Sequence, residues 1–246
     1  MYSLAYSLMV LLGSFQQNFE TITYPSEDGV TITANVYMPH PKTAPFIVLF
    51  HQANWSRGEY LEIAPKLNQL GYNCMAVDLR SGGQVNGVKN QTKIAARESM
   101  KQTNYMDAYE DIDASMKYAK KYFAEGPLIL WGSSYSSALA LRYAGDHPAA
   151  QDAVLAFSPG EYFKSQGKTG NFIQEGASKI SVPAFITSAK GEKGSWWKIY
   201  QAIPVENKQY YLPSTAGNHG SKALWSKFGD SIKYWDAVKK FLNSIK

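Results

Sequence analysis

The sequence contains few of the residues that mark disulfide-rich, metal-binding or nucleic-acid-binding proteins. Cys74 is the one cysteine among 246 residues, so it has no internal disulfide partner, and no cluster of cysteines and histidines indicates a metal site. The formal net charge is only +5, and the basic residues include no arginine cluster. We therefore expect no metal and no nucleic-acid partner, and we expect Cys74 to be an inert, buried thiol.

Long apolar runs are also missing, so no stable membrane insertion is expected. Residues 4–12 are mostly apolar, but a transmembrane helix needs about 20 such residues. Followed by Gly13-Ser14, this run is similar to the core and cleavage region of a secretory signal, although no lysine or arginine precedes it and no Ala-x-Ala follows. Two alternatives stay open for residues 1–18. They are either a signal for export to the periplasm or medium, or a misassigned start or short packing segment of a cytoplasmic protein.

Residues 19–246 alternate between strand and helix patterns, which predicts one domain. The turn signal Glu27-Asp28-Gly29 indicates a hairpin at its start, and continuous apolar runs such as 46–50 are typical of strands buried on both faces. Strands are predicted over 19–24, 30–38, 45–50, 73–77, 128–131, 152–157, 183–188 and 208–212, and helices over 59–70, 105–123, 138–143 and 221–245. This order predicts an α/β fold with a mostly parallel central sheet, antiparallel N-terminal strands and helices on both faces.

Two connections differ from the others in composition or length. Residues 84–103 are polar and irregular, which indicates an excursion over the surface. Residues 158–179 are rich in glycine and unusually long for a connection in a compact domain. We predict a short lid-like insertion at about 158–179.

The most informative motif is Gly132-Ser133-Ser134-Tyr135-Ser136, which follows an apolar strand and precedes a helical pattern. A serine on a tight strand-to-helix turn needs small neighbours two residues to either side, because larger side chains would collide with backbone. This is the pattern of a nucleophile elbow with Ser134 at its apex. Ser136 stands where a second glycine is usual.

A serine nucleophile needs a base, and the chain offers four histidines. His40 lies between prolines, His147 follows a helix end, and His51 closes a strand. His219 lies in Ala216-Gly217-Asn218-His219-Gly220, the connection between the last strand and the last helix, from which an imidazole can reach over the sheet edge. Elimination favours His219 as the base.

The acid that orients the imidazole should lie between the serine and the histidine in chain order. Glu192 follows a predicted strand at the carboxyl edge of the sheet, where active groups gather, and is the preferred acid. Glu161, after the preceding strand, is the reserve candidate, whereas Asp230 comes after His219 and fails the order test. The other acids in the interval are Asp146, Asp152, Glu175 and Glu206.

The oxyanion of the reaction needs backbone donors. We expect one from the N–H group of Tyr135, directly after the serine, and the other from Ala53 in the loop after the third strand. His51 in that loop is expected to hydrogen-bond backbone rather than to react.

Together these segments resemble the α/β-hydrolase superfamily, especially its dienelactone-hydrolase-like and carboxylesterase-like members. The resemblance covers nearly all of residues 19–246. It depends on His51-Gln52-Ala53, on Asp78-Leu79-Arg80-Ser81-Gly82-Gly83, on the elbow, and on His219-Gly220. The resemblance implies Ser134 as nucleophile, His219 as general base and acid, Glu192 as orienting carboxylate, and Tyr135 and Ala53 as the oxyanion hole.

Three further side chains allow two interpretations each. Arg80 either braces the turns by pairing with Asp78 or loop carbonyls, which we favour, or contacts substrate. Trp196 and Trp197 either wall an aromatic substrate pocket or pack a helix. The same alternatives apply to Tyr162 and Phe163 in the predicted lid.

The sequence therefore predicts a serine hydrolase that cleaves a small ester or related acyl substrate through a Ser-His-Glu triad and an acyl-enzyme, without a cofactor. Amide, thioester and peptide substrates stay open, as does the oligomeric state. The alternative is a protein of the same fold that binds a small molecule without turning it over.

Overall fold

The computed structural model of the protein describes residues 19–245. The strands are β1 (Glu20–Pro25), β2 (Thr31–Tyr37), β3 (Phe46–Phe50), β4 (Asn73–Val77), β5 (Gln84–Val85), β6 (Val88–Lys89), β7 (Leu128–Ser133), β8 (Ala153–Phe157), β9 (Ala184–Thr187) and β10 (Lys208–Tyr211). The helices are α1 (Ile63–Gln69), α2 (Gln91–Glu98), α3 (Ala108–Tyr122), α4 (Tyr135–Asp146), α5 (Phe172–Ala177), α6 (Lys193–Ala202) and α7 (Ser231–Asn243). The predicted signal or packing segment at 1–18 lies outside the described residues.

Eight of these strands form one sheet in the order β1-β2-β4-β3-β7-β8-β9-β10. The pairs β1–β2 and β2–β4 are antiparallel, and every other pair is parallel. This confirms the predicted α/β fold with antiparallel N-terminal strands. Because β3, β4 and β7 to β10 run in one direction, their carboxyl ends meet at one edge of the sheet.

The central strands are buried on both faces, as their continuous apolar sequences predict. Along β7, Leu128 and Leu130 belong to a core with residues of α3, α4 and α6, whereas Ile129 and Trp131 belong to a second core with α1 and α7. Alternate side chains of one strand therefore hold helices on opposite faces. In residues 19–245, no helix is both long enough and apolar enough to span a bilayer.

An ion-pair network joins the N-terminal hairpin to the body of the fold. The Arg80 guanidinium lies 2.8 Å from Oδ2 of Asp28, in the hairpin turn, and 2.8 Å from Oδ1 of Asp111 in α3. Arg80 therefore braces the fold as expected, but the predicted partner was wrong: Asp78 pairs with Arg57 instead. Asp28 and Asp111 are both far from Arg80 in sequence, so local spacing could not indicate these ion pairs.

Three predicted segments differ from the structure. The helix predicted over 59–70 is a 3-10 turn, Arg57–Tyr60, followed by α1. Pro65 explains the late start of α1, because proline lacks the N–H group that an interior helical position must donate and is accommodated only in the first turn. Residues 84–103 are not irregular, since they form the ribbon of β5 and β6 and then α2, whose first turn is capped by the Asn90 side chain. The closing helix over 221–245 is divided into a 3-10 turn, Ser221–Leu224, and α7.

Candidate active site

The loop after β7 holds Ser134 in a conformation that few residues adopt. Its backbone angles are φ 59° and ψ −124°, and its N–H group donates to the Phe157 carbonyl in β8 at 2.7 Å. A Cβ atom on Gly132 would lie 2.4 Å from the Ser137 Cα atom, so the strand and α4 approach too closely for any side chain there. This is the geometry expected of a nucleophile elbow.

Ser136 is buried at the position where a second glycine is usual. Its Oγ atom donates to the Phe50 carbonyl at 2.9 Å and accepts from the Ser133 N–H group at 2.9 Å. The hydroxyl therefore ties the elbow to the end of β3, which accounts for a serine at this position.

Three side chains from distant segments form a continuous hydrogen-bonded chain at the carboxyl edge of the sheet. The Ser134 Oγ atom lies 2.7 Å from Nε2 of His219, and Nδ1 of His219 lies 2.6 Å from Oε1 of Glu192. His219 comes from the loop after β10, and Glu192 from the 3-10 turn after β9. In this arrangement Nδ1–H donates to the carboxylate, so Nε2 is free to accept the serine proton.

The Glu192 carboxylate is held by further donors. Ser158 Oγ donates to Oε2 at 2.7 Å, and the Ala189 N–H group donates to the same atom at 3.2 Å. Burial raises the pKa of Glu192, but the hydrogen bonds from His219 and Ser158 outweigh that effect and leave it below its ordinary value. Ser158 Oγ also accepts from Gly220 N–H at 2.8 Å, so it joins the acid to the loop that carries the imidazole.

The reserve acid, Glu161, is occupied elsewhere. Its two carboxylate oxygens accept the N–H groups of Ile173 and Gln174, each at 2.9 Å, at the start of α5. The next residue, Tyr162, donates to the carbonyl of Ser158, whose hydroxyl contacts Glu192, at 2.7 Å. The segment 158–179 thus carries one aromatic side chain beside the site, and a lid role for it stays a prediction.

The two amides expected to form the oxyanion hole lie at the start of α4 and in the loop after β3. Tyr135 opens α4, where helix N–H groups have no intrahelical acceptor. Ala53 lies in the loop after β3, and within the described residues its N–H group has no hydrogen-bond acceptor. Both amides therefore remain candidates for the oxyanion hole.

His51, in the same loop, has a structural role, as predicted. Its Nδ1–H group donates to the Gln52 carbonyl at 2.8 Å, and its Nε2 atom accepts from Leu79 N–H at 2.9 Å. Burial lowers the pKa of His51 to about 4, so the ring is neutral at physiological pH. It fastens the loop that carries Ala53 to the end of β4.

A family comparison can now be set beside this geometry. The model of the family described as serine aminopeptidase, S33, matches residues 41–167, just over half of the chain. The chain belongs to that family.

Solved structures of several hydrolases share the fold of this S33-family chain. The esterase Pf2001 of Pyrococcus furiosus has a TM-score of 0.72 at 16% identity, over 92% of each chain. Dienelactone hydrolase of Anabaena variabilis has a TM-score of 0.69 at 12% identity, over 93% of this chain and 99% of that one. Est1E of Butyrivibrio proteoclasticus, solved with ferulic acid, has a TM-score of 0.71 at 14% identity, over 91% of this chain and 98% of that one.

No curated protein matches the sequence. The family and the fold nevertheless identify a serine hydrolase of the α/β-hydrolase superfamily, as the sequence motifs predicted.

The tryptophans after Glu192 pack the S33-family fold rather than line an open pocket. Trp196 is fully buried and donates from Nε1 to Ser188 Oγ at 2.7 Å. Trp197 stacks on Tyr200 and contacts Tyr210 at the sheet edge. Of the two interpretations, helix packing is the one that the contacts favour.

Two residues at this site were missed by the sequence analysis. Ser158, in the run Ser158-Pro159-Gly160 after β8, could have been found from its place at the carboxyl edge of the sheet. Glu59, which accepts from Gln52 N–H and Ser133 Oγ beside the site, could not, because it was the first residue of the helix predicted over 59–70, which the structure does not form there. No group of three or more metal-ligating side chains occurs in residues 19–245.

Proposed function

We propose that this protein hydrolyses a small ester or a related acyl substrate through Ser134, His219 and Glu192. The observation that carries the proposal is the pair of contacts made by His219, 2.7 Å to Ser134 and 2.6 Å to Glu192. A base must lie within hydrogen-bond reach of the proton it removes, and these distances meet that condition.

The geometry supports a two-step reaction. In the first step, Nε2 of His219 takes the Ser134 proton while Oγ attacks the substrate carbonyl carbon, and the carbonyl electron pair moves to oxygen. The N–H groups of Tyr135 and Ala53 would stabilise that oxyanion. When it collapses, the bond to the leaving group breaks, His219 gives its proton to the leaving group, and an acyl-enzyme remains on Ser134.

In the second step, water takes the place of the leaving group. His219 removes a proton from the water, hydroxide adds to the acyl carbon, and the collapse of the second oxyanion releases the carboxylic acid and restores the Ser134 hydroxyl. Throughout both steps, Glu192 accepts from Nδ1–H and stabilises the imidazolium when it forms. The reaction needs no metal or redox cofactor.

Ester substrates are preferred on two grounds. The structurally similar proteins include Pf2001, named an esterase, and Est1E, solved with ferulic acid. An aminopeptidase must also bind the free ammonium group of its substrate. Within residues 19–245, the carboxylates that contact site residues are Glu192, which already accepts from His219, Ser158 and Ala189, and Glu59, which is fully buried.

Labelling with a fluorophosphonate probe tests the proposal. Wild-type protein should be labelled, Ser134→Ala should not, and p-nitrophenyl esters of different chain length should be cleaved faster than an amino-acid p-nitroanilide. A folded wild-type protein that stays unlabelled and cleaves none of them would contradict hydrolysis by Ser134 and favour a binding protein. Faster cleavage of the p-nitroanilide would contradict the preference for esters.

A further inference from the structure

A second glutamate, Glu59, lies beneath the candidate site, and the reaction described above does not use it. It belongs to the 3-10 turn Arg57–Tyr60, and its side chain is fully buried. Within residues 19–245, no lysine or arginine forms an ion pair with it. Burying a carboxylate without a cation costs free energy. The position of Glu59 therefore needs an explanation, which its hydrogen-bond partners supply.

Both carboxylate oxygens contact residues adjacent to the reacting groups. Ser133 Oγ donates to Oε1 of Glu59 at 2.7 Å, and the Gln52 N–H group donates to Oε2 at 2.8 Å. Ser133 directly precedes Ser134, and Gln52 directly precedes Ala53. One side chain therefore bridges the nucleophile elbow and the loop of the proposed oxyanion hole.

The same group is connected to the histidine segment. Ser133 Oγ accepts from Ser221 N–H at 2.9 Å, and Ser221 is two residues after His219. Trp225, which follows the 3-10 turn Ser221–Leu224, donates from Nε1 to the backbone carbonyl of Glu59 at 2.9 Å. Glu59 thus contacts, directly or through Ser133, the segments that carry Ser134, Ala53 and His219.

The turn that carries Glu59 is itself firmly held. The Arg57 N–H group donates to Oδ1 of Asp78 at 2.7 Å, and the Tyr60 hydroxyl donates to the Phe50 carbonyl at 2.6 Å. Ser56 Oγ donates to the Val88 carbonyl at 2.7 Å. Because the backbone on either side is anchored, the carboxylate has a fixed position from which to orient its partners.

We propose that Glu59 is a positioning residue that sets the distance between the Ser134 elbow, the Ala53 amide and the His219 loop. The proposal deepens the proposed function and rests on it. Glu59 touches no reacting atom, so its effect comes through Gln52 and Ser133. Small displacements of such groups reduce the rate strongly, and a contact made only in the transition state affects kcat rather than KM.

Glu59→Gln separates the effect of the hydrogen bonds of Glu59 from the effect of its side-chain volume. Glutamine has nearly the same volume, and its carbonyl oxygen can still accept from Gln52 N–H. Its NH₂ group, however, faces the Ser133 hydroxyl, so the amide can only donate to Ser133 Oγ and the Ser133 proton loses its acceptor. The hydrogen bond that Ser133 donates to Glu59 is then lost while the core stays filled, and Ser133 Oγ can still accept from Ser221 N–H.

The test compares Glu59→Gln with the matched control Glu62→Gln, because Glu62 is a partly exposed glutamate three residues away that pairs with Lys66. For each variant, kcat and KM for p-nitrophenyl acetate, the rate of fluorophosphonate labelling and the melting temperature are measured. Glu59→Gln should lower kcat and the labelling rate at least tenfold and leave KM within twofold of the wild-type value. Glu62→Gln should leave kcat, KM and the labelling rate within twofold of their wild-type values. Ser133→Ala, which removes the bridging hydroxyl only, should lower kcat at least threefold and serves if Glu59→Gln does not fold.

The possible outcomes have different consequences. If wild-type protein is labelled and Glu59→Gln or a folded Ser133→Ala reacts at the wild-type rate, the positioning role is wrong and the proposed hydrolysis stands. If the loss in Glu59→Gln is in KM alone, the role is also wrong. If the wild-type protein is not labelled at all, the proposed function fails, and the positioning role fails with it.

Discussion

At the scale of single residues, the orientation of one imidazole decides what this site can do. His219 has a donor and an acceptor position, and Glu192 occupies the first while Ser134 occupies the second. The carboxylate therefore selects the tautomer that can remove a proton from serine. Ser158 supports this choice because it donates to the same carboxylate.

Glu192→Gln should lower kcat by roughly 10³- to 10⁴-fold, because an amide in place of the carboxylate no longer selects that tautomer. Stability should fall by only about 1 kcal/mol, since glutamine keeps the size of the side chain and one of its two acceptor oxygens. Ester hydrolysis and urea denaturation measure the two effects.

Glu161→Gln is the matched control for this experiment. It should keep kcat but cost about 1 kcal/mol of stability, because Glu161 accepts two N–H groups at the start of α5. A loss of turnover in Glu161→Gln, with none in Glu192→Gln, would show that the acid is misassigned.

At the scale of elements, the sequence predicted most strands and placed the chosen site residues at the ends of the right ones. Continuous apolar runs identified β3, β4, β7 and β8, because burial on both faces leaves no other composition possible. Chain order then separated Glu192 from Asp230, and the structure brings Glu192 to His219.

Segments whose structure depends on distant partners were not predictable in the same way. Glu59 faces inward because Gln52 and Ser133 bond to it, and hydrophobic periodicity carries no information on such contacts. Residues 84–103 form a ribbon and α2 because they pack against the hairpin and the 3-10 turn. Their polar composition hid this structure.

The glycine pair in Asp78-Leu79-Arg80-Ser81-Gly82-Gly83 has a steric explanation at this scale. A Cβ atom on Gly83 would lie 2.3 Å from the Asn54 carbonyl oxygen, and Asn54 follows Ala53. Gly83→Ala should displace the loop of the proposed oxyanion hole and lower kcat roughly 10- to 100-fold. Steady-state kinetics with p-nitrophenyl acetate would measure the effect.

Gly194→Ala provides the comparison, because no atom lies within 4 Å of a Cβ atom there. It should leave kcat unchanged and stabilise α6 by up to about 1 kcal/mol. Equal kcat values in Gly83→Ala and wild type would refute the steric argument.

At the scale of the whole molecule, two buried charged groups contribute to stability with opposite signs. Arg80 forms ion pairs that join the N-terminal hairpin, β4 and α3. Glu59 forms no ion pair within residues 19–245, and burial raises its pKa to about 7.

Arg80→Met should lower the free energy of unfolding by about 3–5 kcal/mol, because it leaves the Asp111 carboxylate buried and uncompensated. Arg97→Met, at an exposed position of α2, should change it by less than about 0.5 kcal/mol. Urea denaturation of both variants distinguishes a structural network from a surface effect, and similar values for the two would contradict the bracing role.

The pKa of Glu59 predicts a particular pH dependence. A carboxyl group with a folded-state pKa above its unfolded value favours folding in its protonated form, so its contribution is fully present below about pH 4.5 and is lost as pH rises through about 7. The difference in free energy of unfolding between wild type and Glu59→Gln should therefore fall by roughly 3 kcal/mol between pH 4.5 and 8. Urea denaturation across this range would measure it, and a flat difference would mean that folding does not raise the pKa of Glu59.

The order of the site residues along the chain has one more consequence. Ser134 and His219 are 85 positions apart, and the imidazole arrives only after β9 and β10 have completed the sheet. On the proposed mechanism, a nascent or truncated chain ending after β8 would carry the serine without its base. The fraction of molecules that react with an acylating agent would therefore equal the fraction in which β9 and β10 have joined the sheet. Such labelling would measure how much of the protein has completed folding.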